Sequence, residues 1–320
     1  MMERKGIAVA GTLLVDNFCE ISSYPKEGEL TKINSLKMSV GGLVPNNGIG
    51  LKKISPQMPV YAVGVIGNDD AGVFAKQFMA DAGVDVTYVV TLDDARTSFT
   101  YVMSVPGAQR TFFTYPGACA VFGAEHIDWD NLNCKMLHLG YFLLLDRVDE
   151  GEGEKILKKA KELGIMTSID LVSENSDRYK CVLPCLKYVD NLIINELEAG
   201  KLAGMEPTEE NVPLIAKKLL DLGVNQRVII HQPAMGLCCS KDGVTVLKST
   251  KLPEGYVKGK TGAGDAFCSG ALIAIEKGMS DVDILELAEA AAVSSLTEVD
   301  ATGGIMEESL ILENIRRFER

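Results

Sequence analysis

KGKTGAGDAFCSGALIAIEKG, residues 258–278, sets small residues and one acid directly before an apolar helical run. Thr261-Gly262-Ala263-Gly264-Asp265 therefore places free backbone N–H groups at a helix N-terminus, where their donors and the positive end of the macrodipole attract phosphate. Asp265 at the same spot has two readings. It can take a proton from a hydroxyl while neighbouring amides hold charge on a transferred phosphoryl group. It can equally cap the helix, as acids often do.

Upstream, short apolar runs alternate with amphipathic ones. The runs at 5–11 (KGIAVAG), 59–67 (PVYAVGVIG), 135–145 (KMLHLGYFLLL), 164–171 (GIMTSIDL), 190–195 (DNLIIN) and 226–231 (QRVIIH) are mostly apolar throughout rather than at every second position. That pattern suits parallel strands covered on both faces. Between them, the segments 69–83, 151–164 and 208–223 carry apolar residues at helical spacing and end in glycine. Two more helices are expected from Asp265 to Lys277 and from Asp281 to about Leu296. Repeated strand–helix order predicts an α/β sandwich with right-handed crossovers. Two stretches, about 13–40 and 97–118, break the alternation and carry β-formers. The second reads as a hairpin turning at Pro106-Gly107-Ala108-Gln109, and together they predict a small separate sheet.

Composition excludes several classes. In 320 residues, 47% hydrophobic and 24% charged side chains make an ordinary globular balance. Net charge −12 argues against a nucleic-acid coat. No apolar run approaches the roughly 20 residues needed to span a bilayer. The N-terminal apolar stretch is interrupted by Asp16 and Glu20 where a signal peptide would be cleaved, and reads as a first strand. Eight cysteines without a CxxC pair, and three dispersed histidines, predict buried thiols in a reducing cytosol rather than a zinc site. Cys268 lies three residues after Asp265, but the sequence suggests no histidine that would make it a nucleophile.

Three further segments carry polar groups suited to a small ligand. In MSVGGLVPNNGIGLKKI, residues 38–54, Gly41-Gly42 allows close approach to backbone, and Asn46 offers a donor and an acceptor or simply caps a helix. Asp16, after the first strand, is either a turn acid or a carboxylate that accepts two hydroxyl hydrogen bonds. Asn195 and Glu198 stand at a strand-to-helix junction, where Glu198 alone would be a solvated acid in a favourable first turn.

Taken together, these segments resemble the ribokinase-like (PfkB) carbohydrate kinase family along nearly the whole chain. The resemblance implies one domain over 1–320, a ribokinase-like three-layer α/β/α sandwich with a mostly parallel central sheet and a small β-sheet lid formed by the two non-alternating stretches. It implies transfer of the ATP γ-phosphoryl group to a hydroxyl of a small sugar, ribose- or fructose-like, with Mg²⁺. In that reading Asp265 is the base, and Gly262, Ala263 and Gly264 form the anion hole. Asp16, Gly41, Gly42 and Asn46 would hold the substrate. Asn195, Gly236, Thr261, Gly262 and Gly264 would meet the nucleotide, and Glu198 with Asn195 the metal. A homodimer through the lid and a cytoplasmic location are also implied. A nucleoside or sugar-acid kinase, and a non-catalytic sugar-binding member, are the alternatives.

The sequence departs from the family pattern in three places. Leu43-Val44-Pro45 replaces ribokinase's Lys-Gly-Ala. His231-Gln232-Pro233-Ala234-Met235-Gly236 keeps only the last glycine of Thr-x-Gly-x-x-Gly. Gly259, flanked by Lys258 and Lys260, replaces the aspartate that helps bind a monovalent cation, so weak K⁺ dependence is expected. The substrate set contains no cation, which favours an unphosphorylated acceptor; Arg110 on the hairpin is the nearest exception.

Overall fold

A computed structural model describes residues 3–320. The chain runs β1 (Ile7–Gly11), β2 (Leu14–Ile21), β3 (Ile33–Gly41), α1 (Leu43–Ile54), β4 (Val60–Gly67), α2 (Asp70–Asp81) and β5 (Val89–Leu92). It continues through β6 (Ser98–Ser104), β7 (Thr111–Tyr115), β8 (Met136–Phe142), α3 (Gly153–Glu162), β9 (Met166–Leu171), β10 (Asn191–Asn195), α4 (Glu196–Ala203) and α5 (Val212–Asp221). It ends with β11 (Arg227–Gln232), β12 (Met235–Ser240), β13 (Gly243–Lys248), α6 (Ala263–Glu276), α7 (Asp281–Ser295) and α8 (Glu308–Ile315).

The apolar runs form strands because both of their faces are covered. Ile7 and Val9 of β1 join a core with α1, α6 and α7, while Ala8 and Ala10 join a second core with α3 and α5. Successive strand residues point to opposite faces, so each core takes every second side chain. The result is a nine-stranded sheet ordered β13-β12-β11-β10-β9-β8-β1-β4-β5 between two helical layers. It is parallel from β5 to β11 and antiparallel at the β11-β12-β13 edge. No helix among the described residues is long and apolar enough to cross a membrane.

The two non-alternating stretches supply the second sheet, ordered β3-β2-β6-β7. It is mixed, since β2 runs parallel to β6 while its other pairings are antiparallel. Gly107 has φ 79° at the tip of the β6–β7 hairpin, and the Ala108 N–H donates to the Val105 carbonyl over 3.0 Å.

The apolar N-terminal stretch is two strands rather than one. It leaves the large sheet at Gly11, φ 140°, where any Cβ would stand 2.5 Å from the Gly140 carbonyl oxygen. Asp16 consequently lies inside β2 of the small sheet, not in a turn after the first strand. The run 135–145 also stops early, at Phe142. Tyr141 and Leu143 adopt φ 60° and 79°, which breaks the extended geometry there.

Candidate active site

The α6 N-terminus is built around glycine. Gly262 caps the helix at φ 76°, and a Cβ there would sit 2.5 Å from the Ala301 Cβ. Sterics and backbone conformation both exclude a side chain. First-turn amides have no intrahelical acceptor behind them. One of the expected anion-hole donors is nevertheless engaged, because the Ala263 N–H reaches the Lys260 carbonyl at 3.3 Å. The resemblance gave all three amides the same role. The local turn instead ties Ala263 and leaves Gly264 beside the cavity.

Asp265 follows in the same turn and is buried. Its carboxylate accepts the Tyr141 hydroxyl at 2.9 and 3.0 Å and the Asn46 amide at 2.8 Å. Burial first, and then the charge of Asp170, push its pKa up to about 7, against the lowering pull of those two hydrogen bonds. Its side chain therefore makes no capping bond; Gly262 caps α6. Asn46 is no cap either, since Gly42 at φ 90° occupies that position of α1. Freed from capping, Asn46 reaches across to α6.

Tyr141 and Asp170 are the residues that sequence reasoning missed. The Tyr141 N–H donates to Asp170 Oδ1 at 2.6 Å, which holds the strained backbone that aims its phenol at Asp265. A tyrosine inside an apolar strand carries no signal that it will turn. The aspartate in GIMTSIDL, an acid within a buried strand, was the available clue.

Asn195 and Glu198 form a reciprocal capping box on α4. Asn195 Oδ1 accepts the Glu198 N–H at 2.9 Å, and Glu198 Oε2 accepts the Asn195 N–H at 3.0 Å. Ser173 donates to Glu198 Oε1 at 2.8 Å. Glu198 is thus not a solvated acid: it is buried, and burial pushes its pKa up to about 7.

A cavity of about 290 Å³ gathers Asp265, Tyr141, Asp170, Asn195, Glu198, Gly262 and Gly264. A second, of about 470 Å³, shares Asn195 and Gly264 and adds Gly236, Ala263 and Lys260 among largely apolar walls. His231 lines both, packs on Phe267 with ring centroids 4.9 Å apart, and is held neutral by burial, its pKa lowered to about 4. A larger hollow of about 760 Å³ opens between residues 173–180 and α4, but Asp265 does not line it. Thr261 is exposed and lines neither of the two cavities at Asp265. Asp16, Gly41 and Gly42 lie outside their walls too, at the root of the small sheet.

There the strand register sets Ser39, Asp16, Thr100 and Thr114 side by side. Thr100 and Thr114 hydroxyls are 3.1 Å apart. Burial raises the Asp16 pKa to about 6. A Cβ on Gly41 would collide with the Asp16 carboxylate, so glycine makes room for it.

The family model described as pfkB family carbohydrate kinase matches residues 5–308. The chain belongs to that family. As a member of it, this protein is a carbohydrate kinase, of the class that acts on sugars and nucleosides. An Arabidopsis thaliana ribokinase is 27% identical over 292 residues, covering 89% of this chain and 74% of that protein. A Schizophyllum commune adenosine kinase is 22% identical over 305 residues, covering 85% and 83%. In structure, Arabidopsis ribokinase complexed with ribose and ATP gives a TM-score of 0.83 at 23% identity, covering 98% of this chain and 99% of that one. Cryptococcus neoformans ribokinase in complex with ADP gives 0.81 at 20% identity, covering 97% and 99%. These likenesses show the ribokinase-like sandwich with its accessory sheet.

Proposed function

We propose that this kinase transfers the γ-phosphoryl group of ATP to a hydroxyl of a small unphosphorylated sugar, ribose- or fructose-like. The observation that carries the reading is the Asp265 carboxylate, buried at the start of α6 and fixed by Tyr141 and Asn46. A carboxylate with a pKa near 7 is a stronger base than an exposed one and still half ionised at neutral pH. Asp265 takes the proton of the attacking hydroxyl, and the Gly264 amide with the helix terminus holds charge on the transferred group. Asp16, with Ser39, Thr100 and Thr114 beside it, reads substrate hydroxyls from the small sheet. Closure of that sheet over the cavity excludes water. The 470 Å³ cavity, largely apolar and sharing Asn195, His231 and Gly264 with the first, suits a nucleotide base. ATP is favoured by the ribokinase relative whose structure carries ribose and ATP.

The oxygen donors fit a magnesium ion. Glu198 and Asp170 present carboxylates to a cavity with room for water, and Mg²⁺ keeps several of its waters. Glu198, with Asn195 orienting it, would hold the ion, which when bound neutralises phosphate charge. A homodimer through the small sheet is supported by its exposed Leu36, Met38, Tyr101, Phe112 and Phe113.

ADP release measured across a panel of free sugars, sugar acids, sugar phosphates and nucleosides tests the reading. Turnover of a free pentose or hexose is expected. Turnover of fructose phosphates alone would overturn the substrate assignment, nucleoside turnover would move it to the alternative class, and no turnover with any acceptor would favour a non-catalytic binder.

A further inference from the structure

Beside Asp265, in and behind the same cavity wall, His138 and Cys268 join Asp170 in a constellation of which the proposed phosphoryl transfer uses only the aspartate. Cys268 is one helical turn after Asp265, and its Sγ stands 3.5 Å from His138 Nε2. Asp170 Oδ2 stands 3.5 Å from the same nitrogen. Along the chain, no histidine stands near Cys268 and the potential metal ligands are dispersed. The fold brings them together, because β8, β9 and α6 converge here from 138, 170 and 268. All three residues are buried, and their ligating atoms lie within 4.8 Å of one another.

We propose that His138, Asp170 and Cys268 form a site for one zinc-class dication, and that its occupation slows the enzyme. Tetrahedral zinc with bonds of about 2.0 Å to nitrogen and oxygen and about 2.3 Å to sulfur requires N···S near 3.5 Å and N···O near 3.3 Å. The observed spacings meet the first and nearly meet the second. Nitrogen, sulfur and oxygen together suit zinc or cobalt rather than magnesium, which prefers oxygen alone. The other ring nitrogen, His138 Nδ1, is 3.1 Å from the Ser168 hydroxyl. When that hydroxyl accepts from Nδ1–H, a lone pair is left at Nε2 for the metal. Cys268 and Asp170 line the 290 Å³ cavity, which gives the ion an entry. On binding, the Cys268 S–H proton leaves to solvent and a sulfur–metal bond replaces it. Thiolate and carboxylate then balance the two positive charges. The ion would engage the carboxylate that positions Tyr141 and set a cation close to Asp265, lowering its basicity.

The binding part stands whether or not the kinase reading does, so it is measured first and without nucleotide. Co²⁺ alone is added to the full chain and followed by thiolate-to-cobalt charge-transfer absorption, and Zn²⁺ alone by equilibrium dialysis. One equivalent of each should bind. Cys268→Ser, nearly isosteric and able to keep the hydrogen bond to His138, should lose the band and weaken zinc by roughly tenfold or more. His138→Asn should weaken it similarly. Absence of the band in wild type, or a band unchanged in Cys268→Ser, would overturn the site. With an acceptor identified, one equivalent of Zn²⁺ should slow wild type but not Cys268→Ser, each referred to its own metal-free rate. Binding without slowing would overturn the inhibitory role.

Discussion

Replacing Tyr141 by Phe removes one hydroxyl and leaves the ring that packs around it. That hydroxyl donates to both oxygens of the Asp265 carboxylate, at 2.9 and 3.0 Å, and so favours the ionised form. A hydrogen bond to a charged group is worth roughly 1.5–3 kcal/mol, and one pKa unit corresponds to about 1.36 kcal/mol. Asn46 remains as a donor, so the lower end applies, and the Asp265 pKa should rise by about one unit from its value near 7. If Asp265 is the base, the acidic limb of kcat/KM moves to higher pH by that amount. At pH 7 the ionised fraction falls from about one half to about one tenth, a loss of roughly fivefold, while near pH 9.5 the two enzymes should almost converge. The assay is initial-rate kcat/KM from pH 5.5 to 9.5 on the best acceptor. A loss of equal size at every pH, with the limb unmoved, would refute the argument and make Tyr141 a substrate contact or a packing residue instead.

Potassium should raise the rate little over tetramethylammonium at matched ionic strength and saturating Mg·ATP, because a Cβ at Gly259 would lie 2.7 Å from the Glu298 carbonyl oxygen and leaves no space for the missing aspartate. A many-fold rise confined to K⁺ would show that backbone carbonyls suffice for a cation site. The raised Asp265 pKa also acts on folding: the stability it contributes is fully present below about 3.8 and is lost as pH rises through about 7. Asp265→Asn should therefore gain stability relative to wild type in denaturant titrations at pH 8 compared with pH 5, and the opposite trend would contradict the burial argument. Gly270→Ala should lower stability by roughly 1–3 kcal/mol, since its Cβ would meet the Leu287 carbonyl oxygen at 2.6 Å where α6 crosses α7; an unchanged denaturation midpoint would contradict that packing.

The sandwich was legible because its central strands are mostly apolar throughout, the composition that suits a strand covered on both faces. The α6 signature was legible because glycine at 262 and 264 and an acid at 265 stand within four residues. What escaped reading depended on contacts between distant segments. Tyr141 became a partner of Asp265 only because Asp170, 29 residues on, holds its backbone N–H. His138 and Cys268, separated by 130 residues, meet only once β8 and α6 are packed together. The turn was one reading of Asp16 because a single glycine, Gly11, divides what reads as one apolar run. Glu198 looked solvated because a capping box has the same sequence whether its face is buried or exposed.

If Asp265 removes the proton from the acceptor hydroxyl, Asp265→Asn should abolish most of the chemical step and spare binding. Asparagine keeps the size of the side chain, and the Tyr141 hydroxyl can rotate to accept from its amide. The measurement is kcat and KM for both acceptor and ATP, compared with wild type at pH 8, where the wild-type carboxyl is largely ionised. The account predicts that kcat falls by roughly 10²–10⁴-fold while both KM values change little. A variant that keeps near-normal kcat on its best acceptor would contradict it.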